Sequence, residues 1–376
     1  MAGIYCHIPF CKQKCNYCNF YSCSNYNDFD ELIKSEIVEL NLRKGYINNE
    51  VVNTIYFGGG TPSLLPIKYI KEILSCIKFE FKVSDNCEIT FEANPDDLSE
   101  QYLFQLYSCG INRLSVGIQS FNDKILKILG RRHDSSKLED IIQIANKVGF
   151  NNISVDLIFG VPGMGLLLYN DSLTRVLQLD IKHISAYALS VENNTYIYKQ
   201  LINNTIKELE EYEVLDQFNL TIDRLSENGF YQYEISNYAK DGFESRHNSS
   251  YWENVIYLGI GPAAHSYNGF SRQWNISDIH LYCFNVAHSK LFYDIEFLSS
   301  FDKYNEYVLT GLRTSRGISI EYIKDNFNNK IYKKFSEEVN RLVIDDLIIF
   351  VGDRIRFTRR GIMISNYIFE RLYFFS

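Results

Sequence analysis

Residues 4–20 read IYCHIPFCKQKCNYCNF and indicate the fold, because they place Cys11, Cys15 and Cys18 in a C-x3-C-x2-C triplet. Three thiolates on one short loop can bind three irons of a [4Fe–4S] cube and leave the fourth iron open to another ligand. A structural cluster or a structural zinc site would normally use four protein ligands. The spacing therefore predicts a cluster that does chemistry or holds a small molecule. The alternatives are three unrelated reduced thiols, or a zinc site completed by His7.

The residues around the triplet resemble those of the radical S-adenosylmethionine (SAM) superfamily. The segment Y-x-H-I-P-F-C before the first cysteine is similar to the branch that contains oxygen-independent coproporphyrinogen III oxidase (HemN) and the HemW heme chaperones. This resemblance implies that the three cysteines hold the cluster and that its open iron binds the amino and carboxylate groups of SAM. It also implies that Tyr5 and Tyr17 lie on the SAM side of the site.

Two departures from the oxidase pattern favour the HemW family. The oxidase motif carries a further cysteine two residues after the third, where this chain has Phe20. The oxidase also has a long N-terminal arm before its motif, whereas this motif lies close to Met1.

Composition favours a cytosolic, enzyme-like protein. The chain has 376 residues, enough for two domains and a connector, and its net charge of −8 gives no electrostatic footprint for nucleic acid. No apolar run approaches the length of a membrane span, and the N-terminus lacks a signal pattern, so we expect a cytoplasmic protein. Nine cysteines in such a chain suit a reducing compartment.

The first half of the chain alternates short apolar strands with helical periodicity. Six strands are predicted, at Ile4–Ile8, Thr54–Phe57, Glu88–Glu92, Arg113–Gly117, Ile153–Leu157 and His183–Ala188, and helices between them include Phe29–Leu42 and Leu138–Val148. This order predicts an α/β fold with a parallel sheet. Six such units match the partial (β/α)6 barrel, similar to a TIM barrel, that the resemblance implies, with active groups at the C-terminal ends of the strands.

A glycine run follows the second strand, in Gly58-Gly59-Gly60-Thr61-Pro62. Successive glycines permit positive φ and let the backbone approach a ligand without a Cβ in the way. The resemblance implies that Gly59, Gly60 and Thr61 contact the methionyl group of SAM.

Polar residues follow the later strands, and the resemblance assigns them to SAM as well. Glu92, Gln119, Arg131 and Asp156 are implied to make polar contacts, and Ala188 on the sixth strand is implied to line the adenosine site. Taken alone, a carboxylate such as Glu92 could equally be a solvated group or an anion at a helix N-terminus.

A dense aromatic segment follows the predicted helix Leu209–Leu225, and it contains His247-Asn248-Ser249-Ser250-Tyr251-Trp252. This stretch resembles the H-N-x-x-Y-W motif of HemW proteins. An imidazole can bind heme iron axially and aromatic faces pack on a macrocycle, so His247 is the first candidate for heme contact and His265 the second. The alternative for His247 is a structural role that ties this connector to the barrel.

The last part of the chain is expected to be a small winged-helix-like α+β domain. Helices are predicted at Asp302–Leu312, Ile320–Phe327 and Lys333–Ile344, a hairpin around Gly352-Asp353, and a final helix at Arg359–Phe375. Because it lacks a basic stripe, this domain is interpreted as a lid or docking surface. The expected domains are residues 1–195 (barrel), 196–299 (connector) and 300–376.

The resemblance implies a heme chaperone that binds a [4Fe–4S] cluster, SAM and heme and passes heme to an acceptor protein. The alternatives are a coproporphyrinogen III oxidase or another radical SAM tailoring enzyme, and the sequence identifies no catalytic residue. Flavodoxin or an NADH-dependent reductase is the expected class of electron donor. We expect no nucleic-acid partner.

Overall fold

Six parallel strands form a partial barrel in the first half of the chain, in a computed structural model that describes residues 1–24, 29–291 and 293–374. Strands and helices alternate in the order β1 (Ala2–Ile8), α1 (Phe29–Leu42), β2 (Val52–Gly59), α2 (Ile67–Glu80), β3 (Val83–Ala93), α3 (Glu100–Ser108), β4 (Arg113–Gln119), α4 (Asp123–Ile128), α5 (Leu138–Val148), β5 (Ile153–Phe159), α6 (Leu166–Leu177) and β6 (His183–Ala188). These strands are neighbours in sequence order, and each adjacent pair is parallel. The predicted α/β fold with six barrel units is confirmed.

The barrel strands are buried on both faces, as parallel strands covered by helices should be. In both β1 and β5, six of the seven residues are buried. The helices bury one stripe each; α5, for example, buries Leu138, Ile141, Ile142 and Ala145, which recur at helical spacing.

The connector extends the barrel sheet at both edges. It comprises α7 (Tyr196–Ile202), α8 (Glu211–Glu227), β7 (Tyr231–Gln232), β8 (Asn237–Ala239), α9 (Arg246–Trp252), β9 (Ile256–Ile260), β10 (His265–Tyr267), β11 (Ser271–Asn275), α10 (Ile279–Ala287) and β12 (Tyr293–Phe297). β9 adds to β1 in parallel, and β8 adds to β6 in antiparallel orientation. The motif helix α9 packs against β2 and is therefore held beside the barrel.

The C-terminal domain has a hydrophobic core of its own, built from buried residues between Tyr304 and Phe374. Its elements are α11 (Ser300–Leu312), β13 (Ile318–Ser319), α12 (Ile320–Asn326), α13 (Asn329–Ile344), β14 (Ile348–Val351), β15 (Arg354–Phe357), α14 (Arg359–Met363) and α15 (Ser365–Leu372). The predicted hairpin is present as β14 and β15, which pair antiparallel.

The final helix is the main difference from the predicted elements. The sequence predicts one helix over Arg359–Phe375, whereas the structure contains α14 and α15, separated at Ile364. The backbone of Ile364, at φ −114° and ψ 31°, lies outside helical geometry and turns the chain. Phe375 and Ser376 lie outside the described residues.

Within residues 1–24, 29–291 and 293–374, no helix combines the length and apolar character that crossing a membrane requires.

Candidate functional site

The three cysteines of the triplet lie on the cluster loop (residues 11–18), which follows β1 at the C-terminal edge of the barrel sheet. A parallel bridge between Phe10 and Cys23 closes the base of the loop. Two backbone hydrogen bonds stabilise that bridge, from Cys11 N–H to Cys23 O (2.9 Å) and from Cys23 N–H to Pro9 O (2.8 Å). The chain therefore returns to the strand end from which it departed, so the three thiols lie on one closed loop.

The far side of the cluster loop is attached to the end of α4. Asn16 donates its backbone N–H to Leu129 O at 3.0 Å and its side-chain amide to Ile128 O at 2.9 Å. Gly130 has a φ of 69°, and a Cβ added there would lie 2.7 Å from Asn16 Cγ. Glycine is needed at position 130 for both its conformation and this close approach.

Burial and two hydrogen-bond donors set the electrostatics of the thiols. Burial raises the pKa of the Cys11 and Cys18 thiols above their ordinary value. Thr61 Oγ1 donates to Cys11 Sγ at 3.4 Å, and Arg131 Nη1 donates to Cys15 Sγ at 3.4 Å. Such donors stabilise a thiolate, the form in which cysteine binds iron. This donor set fits a cluster bound by three thiolates.

A cavity of about 490 Å³ opens beside the cluster loop, and we call it the cluster cavity. Its walls include the three cysteines and nine of the ten residues that the resemblance assigned to SAM: Tyr17, Gly59, Gly60, Thr61, Glu92, Gln119, Arg131, Asp156 and Ala188. The exception is Tyr5 on β1, which does not line this cavity. Apart from Tyr17 on the cluster loop and Arg131 after α4, these residues lie in or just after β2 to β6, mostly at the C-terminal ends, where barrels of this class collect their active groups.

The glycine run has a structural role that the sequence did not reveal. Gly59 has a φ of 104°, and a Cβ there would lie 2.7 Å from the His7 ring. A Cβ on Gly60 would lie 2.8 Å from the carbonyl oxygens of Ile8 and Phe10. The run therefore lets β2 approach the chain that leads into the cluster loop, in addition to lining the cavity.

Two carboxyl groups face the cluster cavity in buried surroundings. Glu92 accepts a hydrogen bond from Tyr56 OH at 2.7 Å, and desolvation raises its pKa to about 7. Asp156 accepts from Ser115 Oγ at 3.3 Å, and its pKa is also raised, chiefly by desolvation. A cationic ligand in this cavity would stabilise the ionised form of both groups.

Gln119 and Arg131 meet near the end of β4. Gln119 has a φ of 67°, a strained conformation for a residue other than glycine, and strain of this kind concentrates at functional sites. Arg131 Nη2 donates to Gly117 O at 2.8 Å and to Asn94 Oδ1. The guanidinium is thereby fixed between the strand end and the cluster loop.

The zinc alternative that used His7 is not supported by the arrangement of His7. Its Nδ1 pairs with Tyr5 OH and its Nε2 with Tyr21 O, both at 3.2 Å, so neither nitrogen is directed at the thiols. Among the described residues, no three Cys, His, Asp or Glu side chains are arranged to hold a single metal ion.

A second cavity of about 860 Å³ adjoins the first, and we call it the aromatic cavity. The two cavities share Lys14, Phe20 and Ser22 as wall residues. The aromatic wall consists of Tyr5, Phe20, Tyr21, Tyr251, Trp252, Tyr257 and Tyr267. Sequence reasoning missed this cavity because its walls come from β1, the cluster loop, α9, β9, β10 and α11, which are far apart in the chain.

The histidine of the H-N-x-x-Y-W motif is buried beneath the aromatic cavity and does not line it. His247 is 1% exposed; its Nδ1 pairs with Thr54 Oγ1 and its Nε2 with Tyr251 OH, both at 2.8 Å. The ring stacks on Tyr56 with centroids 4.9 Å apart, and the backbone N–H donates to Glu88 Oε1 at 3.0 Å. These contacts favour the structural alternative, in which His247 ties the connector to the barrel.

His265, the second heme candidate, does line the aromatic cavity. It is an exposed residue on β10 whose ring stacks on Trp274, with centroids 5.9 Å apart. Partial burial and the nearby Arg272 lower its pKa, which favours the neutral imidazole.

Two family models match this chain. Residues 5–166 match the radical SAM superfamily, and residues 298–364 match the HemN C-terminal domain. Membership of the radical SAM superfamily implies a [4Fe–4S] cluster and SAM.

Full-length relatives define the family more narrowly. Heme chaperone HemW of Lactococcus lactis subsp. lactis is 32% identical over 98% of this chain and 96% of that protein. Heme chaperone HemW of Bacillus subtilis is 32% identical, with 98% of each chain covered. The chain belongs to the HemW family.

The fold of this HemW family member is shared with a solved oxidase structure. Coproporphyrinogen III oxidase (HemN) from Escherichia coli superposes with a TM-score of 0.85 at 21% identity, covering 99% of this chain and 90% of that one. At this identity the likeness shows a common fold, so the distinction between HemW-like and HemN-like activity has to come from the site residues.

Proposed function

We propose that this chain is a heme chaperone that binds a [4Fe–4S] cluster, SAM and heme, and passes heme to an acceptor protein. The observation that carries the proposal is the pair of adjoining cavities, one lined by the cysteine triplet and the other by aromatic side chains. Full-length relatives that are named heme chaperones support it.

The cluster cavity supplies the groups that a cluster and SAM require. Cys11, Cys15 and Cys18 would hold three irons of the cluster, and the bound cluster would supply an open coordination position for SAM and a source of one electron. Thr61 and Arg131 would stabilise the bound thiolates through the hydrogen bonds described above. The ionised carboxylates of Glu92 and Asp156 would balance positive charge on SAM.

Phe20 favours the chaperone over the oxidase. It stands where the oxidase motif has its additional cysteine, and 69% of its surface is exposed in the region shared by the two cavities. A phenyl ring offers neither a proton nor a metal ligand, so this position has no group for acid–base chemistry on a porphyrinogen. It does offer an apolar face on which a macrocycle could rest.

The remaining partners follow from the chemistry of the cofactors. One-electron reduction of the cluster requires an external donor, and a flavodoxin or an NADH-dependent reductase has the appropriate chemistry. Cysteine thiols stay available for iron in a reducing compartment, which supports a cytoplasmic location. The acceptor would be a protein that needs heme for its own function.

Product analysis under anaerobic conditions tests this function. Protein reconstituted with iron and sulfide is incubated with SAM and reductant, together with either heme or coproporphyrinogen III, and the tetrapyrroles are separated by chromatography. We expect about one heme bound per chain, recovered unchanged, and no protoporphyrinogen from coproporphyrinogen III. HemN assayed in parallel is the control that the substrate and reductant are competent.

Multiple turnovers to protoporphyrinogen and CO2 would overturn the chaperone proposal and favour the oxidase. Failure of the wild-type protein to bind heme would also overturn it.

A further inference from the structure

The aromatic cavity has the walls that a flat, largely apolar ligand requires. Its volume of about 860 Å³ lies within the range of small-molecule sites. Tyr5, Tyr251 and Trp252 place rings from β1 and α9 on its surface, and Tyr257 and Tyr267 add rings from β9 and β10. Aromatic faces of this kind stack on planar conjugated ligands.

Two histidines line this cavity, and their ring nitrogens differ in availability. Both nitrogens of His7 have partners, Tyr5 OH and Tyr21 O. Neither ring nitrogen of His265 has a hydrogen-bond partner within the described part of the chain. Stacking on Trp274 orients the His265 ring without occupying its nitrogens. His265 is therefore the available imidazole in the cavity wall.

The cavity wall also carries cationic side chains. Arg272 donates from Nε to Glu306 at 2.5 Å and lies over the Tyr267 ring, while its two terminal NH2 groups have no hydrogen-bond partner among the described residues. Lys14 projects from the cluster loop and is shared by both cavities. Guanidinium and ammonium groups bind carboxylates, so the wall suits a ligand that carries acidic side groups.

The motif helix acts on this cavity indirectly. His247 lies below the wall and holds the hydroxyl of Tyr251, one of the wall residues, at 2.8 Å. Arg313 of the C-terminal domain lies over the ring of Trp252 at 5.0 Å. His247, at the start of the motif, thus fixes the position of Tyr251 near its end. The helix α11 contributes Leu309 and Thr310 to the same wall.

We propose that the aromatic cavity is the heme site, that His265 is the axial ligand to the heme iron, and that His247 is a positioning residue that acts through Tyr251. Arg272 and Lys14 would bind the propionates. This inference rests on the proposed function, because it assigns a place to the heme that the chaperone carries. It also makes His265, rather than His247 of the motif, the first candidate for the iron ligand. Both ring nitrogens of His247 already have hydrogen-bond partners.

Heme titrations of single variants test the assignment, with heme as the probe and cluster iron measured in the same samples. The His265→Ala variant should lose the histidine-ligated Soret and visible bands. Its heme affinity should fall by at least the roughly 10–100-fold that the loss of an outer-shell partner costs a metal site. Added imidazole should restore the bands, because the space left by the side chain can take the free ligand.

Two further variants separate ligation from positioning. His247→Ala should lower heme affinity and the stability of the fold, yet the bound fraction should keep the spectrum of histidine-ligated heme. His280→Ala is the matched control, because His280 is an exposed histidine on α10 that lines neither cavity. It should bind heme as the wild type does.

The possible failures are distinguishable. If wild-type protein does not bind heme, both the proposed function and this inference fail. If wild-type protein binds heme and His265→Ala keeps the same affinity and spectrum, this inference alone is overturned. A third result is a folded His247→Ala protein that loses the histidine-ligated bands and regains them with imidazole. That result would show that His247 is the iron ligand and would overturn this inference.

Discussion

Glu92 is a residue whose proton affinity depends on the folded barrel. The carboxyl lies at the end of β3 and accepts a hydrogen bond from Tyr56 OH, while Asp156 faces the same cavity. Desolvation is the largest influence and raises its pKa from 4.5 to about 7. The protein without bound ligands therefore holds Glu92 protonated at mildly acidic pH.

This shift predicts a pH dependence of stability. Below pH 4.5 the group is protonated in both the folded and unfolded states, so it has no effect. As pH rises from 4.5 to 7, Glu92 ionises in the unfolded chain before it does in the folded protein. The free energy of unfolding therefore falls by roughly 2–3 kcal/mol.

Glu92→Gln should remove that loss. Denaturant unfolding at several pH values, in the absence of cluster and SAM, should show the stability of the variant rising relative to wild type between pH 4.5 and 7. Glu227→Gln, at an exposed position on α8, is the control. A constant difference between Glu92→Gln and wild type across this range would show that the pKa of Glu92 is not raised.

Single residues also show where sequence reasoning works. The cysteine triplet and the polar residues after each strand are local patterns, and the structure brings them to one cavity. The role of His247 depends on Thr54 and Tyr56 of β2, nearly two hundred positions away in the chain. No local pattern carries that information, so the motif alone could not separate iron ligation from tethering.

At the scale of elements, periodicity located the barrel strands and their helices. Phe29–Leu42, Leu138–Val148 and His183–Ala188 have the bounds that the sequence predicts. Several strands are longer than predicted, because hydrogen bonding to neighbouring strands extends beyond the apolar run. For example, β3 spans Val83–Ala93, whereas the sequence predicts Glu88–Glu92. The break between α14 and α15 lies at Ile364, which packs against the C-terminal core, and apolar spacing does not reveal it.

The attachment of the cluster loop to the end of α4 gives an element-scale prediction. Gly130→Ala should displace Asn16, because the new Cβ would lie 2.7 Å from the Asn16 side chain in the present arrangement. We expect reduced iron content after anaerobic reconstitution, or a cluster EPR signal that no longer shifts when SAM is added. Cys15→Ala, which removes a proposed cluster ligand, provides the reference for complete loss of the cluster.

Gly242→Ala is the matched control for this change. Gly242 has a φ of 77°, close to the 69° of Gly130, but an added Cβ would meet nothing within 4 Å. Both variants should lose about 1–2 kcal/mol of stability from backbone strain. Equal cluster content in Gly130→Ala and Gly242→Ala would contradict the proposed role of the loop attachment.

At the scale of the whole molecule, the barrel, the connector and the C-terminal domain together form the aromatic cavity. β1 and the cluster loop form one side, α9, β9 and β10 form another, and α11 contributes Leu309 and Thr310. The Arg272–Glu306 ion pair at 2.5 Å joins the connector to α11 beside the cavity. The interpretation of the C-terminal domain as a lid or docking surface stays a prediction.

The two adjoining cavities predict that one chain holds a SAM-binding cluster and heme in separate places. Addition of SAM to anaerobically reconstituted, heme-loaded protein tests it directly, with the reduced cluster followed by EPR and the heme by its Soret band in the same sample. We expect SAM to shift the cluster signal while about one heme per chain stays bound with its spectrum unchanged. Displacement of heme by SAM, or a cluster signal that responds to SAM only in heme-free protein, would contradict it.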